Sequence, residues 1–131
     1  MEALVIIRAI LLASAGVTAV RHGGVYTNVA PQDAALPNIV IMAVGGGEGM
    51  SHCGPDGLKH ERVRIWARGK RAEAALALGI AIDKALNGYV GTIAGARVQL
   101  VSKVMTLSDY ADDVDQHRSI LDFRVHWSAA S

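Results

Sequence analysis

The sequence predicts one α+β domain, residues 1–131, in which two main helices pack on one face of a mostly antiparallel sheet of about four strands. The chain has 131 residues, which is close to the usual size of one domain. Hydrophobic residues make up 51% and charged residues 19%, so a folded core is expected. The elements follow the order helix, strand, strand, helix, strand, strand, which separates the helices from hairpin-connected strands.

Composition excludes several classes of protein. The net charge is +1, which gives no overall attraction to nucleic acid or to anionic membranes. The single cysteine, Cys53, excludes an intrachain disulfide and a four-cysteine zinc site, and it favours a reducing compartment. Aromatic residues are only 5% of the chain whereas alanine occurs 21 times. Close backbone packing must therefore replace large rings in the core.

The amino-terminal stretch, residues 1–19, predicts a buried first helix. Its apolar middle and the small residues after it are similar to a signal peptide, but Glu2 precedes the apolar run and Arg8 interrupts it. The run is also shorter than the roughly 18 apolar residues of a membrane span. Gly16 is the expected end of this helix.

A loop, two strands and a glycine-rich segment follow. Residues 17–37 contain at most a short strand, at 25–29. Residues 38–44 (NIVIMAV) are apolar and β-branched, as in a strand buried on both faces. Residues 45–58 are rich in glycine and predict an extended hairpin arm. In the next strand, 59–68, apolar residues alternate with basic residues and a tryptophan. The inner face carries Val63, Ile65 and Ala67. The outer face carries Arg62, Arg64, Trp66 and Arg68.

The second helix is predicted at residues 70–87, with Asn87 and Gly88 as its end. Leu76 and Ile80 lie among charged residues on the side away from the core, four residues apart. Two explanations stay open: the first helix or the arm covers them, or they contact another subunit. The core face of the helix holds small and aliphatic residues: Ala74, Leu78, Ala81, Ile82, Ala85 and Leu86.

The last two strands are predicted at residues 96–107 and 119–127. The second of them places Asp122, Arg124 and His126 on the outer face. The connection between the strands is acidic. A solvated loop is preferred there over a calcium site, because the spacing of an EF-hand loop is absent. The acidic residues are Asp109, Asp112, Asp113 and Asp115.

No pattern of residues indicates catalysis or the binding of a metal or cofactor. His52, Cys53 and His60 are close in sequence but do not have the spacing of a metal site. The glycines of 45–49 lack the following Lys-Ser/Thr of a phosphate-binding loop. We therefore predict a protein that is not an enzyme and that uses no metal or cofactor. An enzyme using His22, His52 or His60 has no supporting constellation of residues.

The stretch 59–71 carries six basic residues against one acidic residue, Glu61. Such a strip could bind a phosphate backbone, with Trp66 stacking on a base, so a small nucleic-acid-binding module is one hypothesis. The acidic run 109–115 offers the opposite charge, which between subunits would guide assembly. We favour a protein partner. The predicted interface comprises Leu76, Ile80, Arg62, Arg64, Trp66, Arg68, Asp112, Asp113 and Asp115.

These features together resemble a known family. The apolar first helix, the strand NIVIMAV, the block ERVRIWARGKRAEAALALGIAIDKALNG at 61–88 and the closing DYADDVDQHRSILDFRVHW at 109–127 resemble the tail terminator, or tail completion, proteins of long-tailed bacteriophages and gene transfer agents. The resemblance covers nearly the whole chain. It is carried by the order and spacing of the segments, because each segment is a pattern of residue types and not an invariant signature.

The resemblance implies a non-enzymatic subunit that forms a ring, typically a hexamer, at the head-proximal end of the tail tube. Such a ring stops tube polymerisation and contacts the head connector, so the implied partners are further copies of the chain, the tail tube protein and the connector protein. DNA would pass through the ring without specific binding, and no membrane is involved. Another neck or minor tail protein is the related alternative. The implied location is the virion tail or neck, after assembly in the cytoplasm of the bacterial host.

Overall fold

The computed structural model describes residues 2–51 and 54–130. Three helices and six strands form in this part of the chain. The helices are α1 (Glu2–Ala13), α2 (Ala15–Val20) and α3 (Ala72–Leu86). The strands are β1 (Val25–Thr27), β2 (Asn38–Ser51), β3 (Gly54–Gly69), β4 (Gly91–Ile93), β5 (Ala96–Ala111) and β6 (Gln116–Ala129).

The strands form one mixed six-stranded sheet in the order β1-β2-β3-β6-β5-β4, curled like half of a barrel. The predicted fold class, an α+β domain with a mostly antiparallel sheet of about four strands and two main helices, is therefore wrong. The β1–β2 pair is parallel, and the other pairs described are antiparallel. Most of the described chain is strand, and a third helix is present.

The two additional strands lie at the edges of the sheet. β1 and β4 have only three residues each, too few to show an alternation of two residues per period. Val25 pairs with Ile39, and the amide of Asn28 donates to the carbonyl of Ile41, so β1 forms because β2 offers a partner. β1 lies within the short strand considered at 25–29, whereas β4 has no counterpart among the predicted elements.

The amino-terminal region forms two helices where one was predicted. α1 ends at Ala13, and the Ser14 side chain accepts a hydrogen bond from the amide of Val17, which caps the start of α2. Gly16 therefore lies inside α2 and does not end the first helix. Glu2 fixes the start of α1 to the sheet, because its carboxylate accepts hydrogen bonds from Lys59 Nζ at 2.9 Å and Trp127 Nε1 at 3.2 Å.

The core lies between the sheet and the helices α1 and α3. The inner sheet face supplies Ile41, Ile65 and Phe123, all fully buried. α3 lies close to β6 because it has a glycine at the contact: a Cβ added to Gly79 would lie 2.5 Å from Ser119 Oγ. Close backbone approach thus compensates for the scarcity of large rings, as the composition predicted.

The glycine-rich segment 45–58 continues β2 and β3 as an antiparallel ladder, with Gly46 opposite Glu61 and Ser51 opposite Gly54. Gly46 is required here, since a Cβ would lie 2.2 Å from the His60 carbonyl oxygen. Register shifts in β2 and β5 bend the sheet. Among the described residues, no helix has both the length and the apolar character needed to cross a membrane.

Candidate functional site

The candidate site lies mainly on the outer sheet face, which we define as the face of β2, β3, β5 and β6 turned away from α1 and α3. Successive side chains of a strand point to opposite faces of the sheet, so the position of a residue along its strand decides its face. On β3, Val63, Ile65 and Ala67 are buried toward the helices, and the residues between them point outward. The predicted outward positions, Arg62, Arg64, Trp66 and Arg68, are all half-buried on the outer face.

Arg62, Arg64 and Asp122 form the first charged group on this face, which we call the Asp122 cluster. Arg64 stands opposite Asp122 in the β3–β6 register and donates to it through Nε at 2.8 Å and Nη2 at 3.0 Å. Arg62 Nε donates to the same carboxylate at 2.8 Å. The Asp122 side chain is 0% exposed, because the two guanidinium groups cover it. Both arginines are thereby held in place.

The pKa of Asp122 reflects two opposing effects. Burial raises it, but the hydrogen bonds and positive charges of Arg64 and Arg62 outweigh burial, and the pKa lies below the ordinary value for aspartate. The same pairing raises the pKa of Arg64. The Asp122 cluster is therefore fully ionised at neutral pH and forms a rigid, internally paired part of the surface.

Arg68, Arg118 and Asp109 form the second charged group, which we call the Asp109 cluster. Arg118 donates to both carboxylate oxygens of Asp109, through Nε at 2.7 Å and Nη2 at 2.6 Å. Arg68 stands directly opposite Arg118 in the sheet register. Within the described residues its Nε is buried and has no hydrogen-bond partner. Burial, together with the Arg118 charge, lowers the pKa of Arg68.

A cavity of about 200 Å³ opens beside the Asp109 cluster. Its apolar part includes the indole of Trp66 and the side chains of Val40 and Met42 from β2. We call it the Trp66 pocket. The residues that line it are Asn28, Val29, Ala30, Val40, Met42, Trp66, Arg68 and Arg118.

The acidic residues predicted for the interface lie in the turn between β5 and β6, which we call the acidic turn (residues 112–115). Asp112, Asp113 and Asp115 are exposed, and Val114 between them is 56% exposed. Tyr110 donates a hydrogen bond from its hydroxyl to Asp115, which fixes one end of the turn. Asp109 belongs to β5 and not to this turn, and it pairs with Arg118 instead of with the basic stretch 59–71.

Leu76 and Ile80 lie on α3, on the opposite side of the molecule from the outer sheet face. They are 54% and 49% exposed, so neither α1 nor the described part of the segment 45–58 covers them. A groove between α2 and α3, with a volume of about 360 Å³, lies beside Ile80 and is lined by small and apolar residues of both helices. An aliphatic surface of this kind is typical of a site that contacts another protein.

The structure brings together only part of the predicted interface. Arg62, Arg64, Trp66 and Arg68 share one face, the acidic turn lies at its edge, and Leu76 and Ile80 lie on another surface. The sequence indicated that Asp122 points outward but did not identify it as the partner of Arg62 and Arg64. Arg118 and Asp109 were also missed as a pair, and in each case the missing information was the strand register.

The residues considered for chemistry do not converge in the described part of the chain. His60 lies opposite His126 on the outer sheet face, with ring centroids 6.0 Å apart. Within residues 2–51 and 54–130, no three His, Cys, Asp or Glu side chains are placed to hold a metal ion. His52 and Cys53 lie outside the described residues.

The fold and these surfaces define a class of protein: a small, sheet-rich subunit whose exposed aliphatic and charged surfaces suit assembly with other chains. The family model for "Tail completion protein gp17" matches residues 5–127, and the chain belongs to this family. It is a structural protein of a phage-type tail. The resemblance to tail completion proteins found in the sequence is thereby confirmed.

Comparison with solved structures gives the same fold. One similar chain comes from a structure described as "Virion of native gene transfer agent (GTA) particle". Its TM-score is 0.70 at 19% sequence identity, and the alignment covers 94% of each chain. At this identity the similarity supports the fold. Among curated proteins, no match was found.

Proposed function

We propose that this protein forms a ring, typically a hexamer, at the head-proximal end of a phage-type tail, where it ends polymerisation of the tail tube and joins the tail to the head connector. The observation that carries the proposal is the unpartnered pair Leu76 and Ile80 on α3, in a chain of the tail completion family. Two large aliphatic side chains half exposed on a charged helix face are stabilised when a neighbouring subunit removes them from water.

The proposed ring would act by presenting different surfaces on its two sides. A tube grows while each new ring exposes the same surface as the ring before it. A subunit that binds the last tube ring but exposes a different surface on its other side stops growth there. That other side then serves as the contact for the connector. Under this proposal, residues 1–131 act as one structural domain with no catalytic step, and DNA passes through the central hole without sequence-specific contacts.

Three surfaces are proposed as protein contacts. The first is the α3 surface with Leu76 and Ile80, the second is the outer sheet face, and the third is the acidic turn. The proposed partners are further copies of the chain, the tail tube protein and the connector protein. No membrane partner is proposed. Assembly is proposed to take place in the cytoplasm of the bacterial host, and the mature location is the virion tail or neck.

Electron microscopy and mass measurement of the purified protein test the ring directly. We expect rings with a central hole, and a mass several times that of the 13.8 kDa chain, either for the protein alone or after addition of tail tubes. Particles assembled without the protein should carry overlong tails. A chain that stays monomeric in both conditions, together with tails of normal length in its absence, would contradict the proposal.

A double substitution tests the α3 surface. Leu76→Gln with Ile80→Gln should leave the circular dichroism spectrum unchanged and should abolish or weaken assembly, because both side chains are already half exposed in the monomer. The matched control is Val5→Gln on α1, since Val5 is 56% exposed but lies on another helix. If the control disrupts assembly as strongly as the double variant does, α3 is not the specific contact.

The alternative, a nucleic-acid-binding module that uses the stretch 59–71, is weakened by the charge pairing. Arg62 and Arg64 are committed to Asp122, which reduces the positive charge available to phosphates. A gel-shift assay with double-stranded DNA at about 50 mM and about 200 mM salt distinguishes the two functions. Binding that falls steeply with salt and disappears on replacement of Arg68, Lys70 and Arg71 would favour the alternative. The length of tails lacking the protein separates a terminator from another neck or minor tail protein.

A further inference from the structure

The Trp66 pocket combines an apolar floor with an unmatched positive charge. Trp66, Val40 and Met42 provide the apolar surface, and Arg68 contributes a guanidinium at the rim. Arg68 Nε is buried without a hydrogen-bond partner in the described part of the chain. A buried donor left unsatisfied destabilises a folded subunit, and a carboxylate brought beside the Arg68 guanidinium is favoured by its charge.

The other arginine of the pocket is already paired. Arg118 makes two short hydrogen bonds to Asp109, and the Asp113 charge also acts on Arg118. Arg68 therefore remains as the pocket cation for which the described part of the subunit provides no carboxylate. The pocket requires an occupant with at least one carboxylate and a small aliphatic side chain next to it.

The chain itself carries a segment with this chemistry that does not line the pocket. In the acidic turn, the aliphatic Val114 stands between Asp113 and Asp115, and all three side chains are exposed. None of the residues 112–115 lines the pocket of its own subunit. Covering the exposed Val114 with the apolar part of the pocket would remove it from water, so both surfaces benefit if they meet.

We propose that the acidic turn of one subunit inserts into the Trp66 pocket of the next, with Val114 against Trp66 and an aspartate, Asp113 or a neighbour in the turn, accepting from Arg68. The inference rests on the proposed ring and specifies how its subunits are joined. Charge complementarity identifies the occupant as a second copy of the chain.

The geometry of this contact suits a ring. Because the pocket and the turn are different surfaces of one subunit, each copy can donate its turn to one neighbour and receive the turn of another, which makes the contact heterologous. Such contacts propagate in one direction and close when the rotation between subunits divides a full circle. Two copies that exchange turns reciprocally would instead close as a two-fold dimer, and the mass of the assembly distinguishes this dimer from a ring.

Charge reversal with complementation tests the contact. Arg68→Glu and Asp113→Arg, each alone, should raise the protein concentration needed for half-assembly by at least about tenfold, because each places like charges together. Mixing the two variants in equal amounts should restore assembly. In a ring where the two variants alternate, every pocket with the acidic substitution meets a turn with the basic substitution, and every unaltered pocket meets an unaltered turn.

Two controls separate charge from position. Arg8→Glu lies on α1, and Asp33→Lys lies in the loop between β1 and β2, and both residues are exposed. They reverse charge without touching the pocket or the turn, so assembly should stay within about twofold of the unaltered protein. Circular dichroism of all four variants verifies folding. If Arg68→Glu is misfolded, the test uses Arg68→Gln in its place, together with Asp113→Arg.

The outcomes are distinguishable. If the unaltered protein assembles but Arg68→Glu and Asp113→Arg also assemble normally, this contact is wrong while the ring proposal stands. If both variants fail but their mixture fails as well, the pocket and the turn bind different partners, and the contact is overturned. If Arg68→Glu loses binding to double-stranded DNA without any effect on assembly, the pocket serves phosphates and not the acidic turn. If the unaltered protein never assembles, the proposed function fails first.

Discussion

The two charged clusters of the outer sheet face have the same composition but different roles. Each contains two arginines and one aspartate, and so each carries a net charge of +1. In the Asp122 cluster the carboxylate is 0% exposed and is shared by both arginines. In the Asp109 cluster the carboxylate is taken entirely by Arg118, and Arg68 has no carboxylate partner in the described residues.

The difference shows that position, and not charge count, decides whether a basic surface is available to a partner. Asp122 stands opposite Arg64 and diagonal to Arg62, so one carboxylate satisfies both neighbours. Asp109 stands opposite Arg118 on the other side of β6, and a carboxylate there reaches only one arginine. The first cluster therefore stabilises the subunit, and the second retains capacity for binding.

The largest expected effect concerns the buried carboxylate. Asp122→Asn should lower the free energy of unfolding by about 2–3 kcal/mol, less than the roughly 3–5 kcal/mol of a fully buried ion pair, because both guanidinium groups are about a third exposed. Chemical denaturation measures this. Asp83→Asn is the control, since the Asp83–Lys103 pair is more open at 3.3 Å and should contribute less than about 1 kcal/mol. Equal losses in the two variants would remove the distinction between buried and exposed pairs.

The lowered pKa of Asp122 also predicts that acid reduces the stability of the folded protein. The pKa of Asp122 is lower in the folded protein than in the unfolded chain, so its stabilising contribution is complete above the ordinary aspartate value of about 3.9 and is lost as the pH falls through the folded pKa. Asp122→Asn should therefore show a smaller loss of stability below about pH 4 than the unaltered protein does. Parallel pH profiles for the two proteins would contradict this assignment.

An intermediate effect on stability is expected for the Asp109–Arg118 pair of the Asp109 cluster. Asp109→Asn weakens two hydrogen bonds to Arg118, but both side chains are about a third exposed, so we expect a loss of about 1 kcal/mol. High salt should reduce the difference between the variant and the unaltered protein, because screening weakens partly exposed pairs. A loss as large as that of Asp122→Asn would show that the two clusters are equally structural.

A smaller effect is expected for the unpaired arginine. Arg68→Leu should change the free energy of unfolding by no more than about 0.5 kcal/mol and can even stabilise the monomer, because it removes a buried, unsatisfied donor. Arg64→Leu is the matched substitution in the Asp122 cluster, and it should destabilise by at least about 1 kcal/mol. The comparison between the clusters fails if both leucine variants are equally destabilised in thermal or chemical unfolding.

The smallest effect concerns His126, beside the Asp122 cluster. Burial, then the charges of His60 and Arg124, lower the pKa of His126. Stability linked to this group is thus present above the ordinary histidine pKa of about 6.5 and declines as the pH falls through the folded pKa. His126→Gln should remove a few tenths of a kcal/mol of this pH dependence. In NMR titration, Arg124→Gln should raise the His126 pKa, and an unchanged value would contradict the stated cause.

The fold could be predicted in part. Alternation identified the inner and outer faces of β3 and β6, and helical spacing identified Leu76 and Ile80 as lying on the polar side of α3. The edge strand β1 lies within the short strand considered at 25–29, whereas β4 was missed because three residues carry no periodic signal. The break between α1 and α2 at Ser14 was also missed. A serine that caps a helix inside an apolar run changes the chain direction without changing the composition.

The candidate site could likewise be predicted only in part. The sequence by itself determined which side chains face outward, because the two-residue period of a strand and the 3.6-residue period of a helix are local properties. It also determined the charge of the acidic turn and of the stretch 59–71. Only the tertiary structure decided that Arg64 meets Asp122, 58 residues away, and that Arg68 meets no carboxylate in the described part of the chain. Register between distant strands fixes these pairs, and register is a property of the whole sheet.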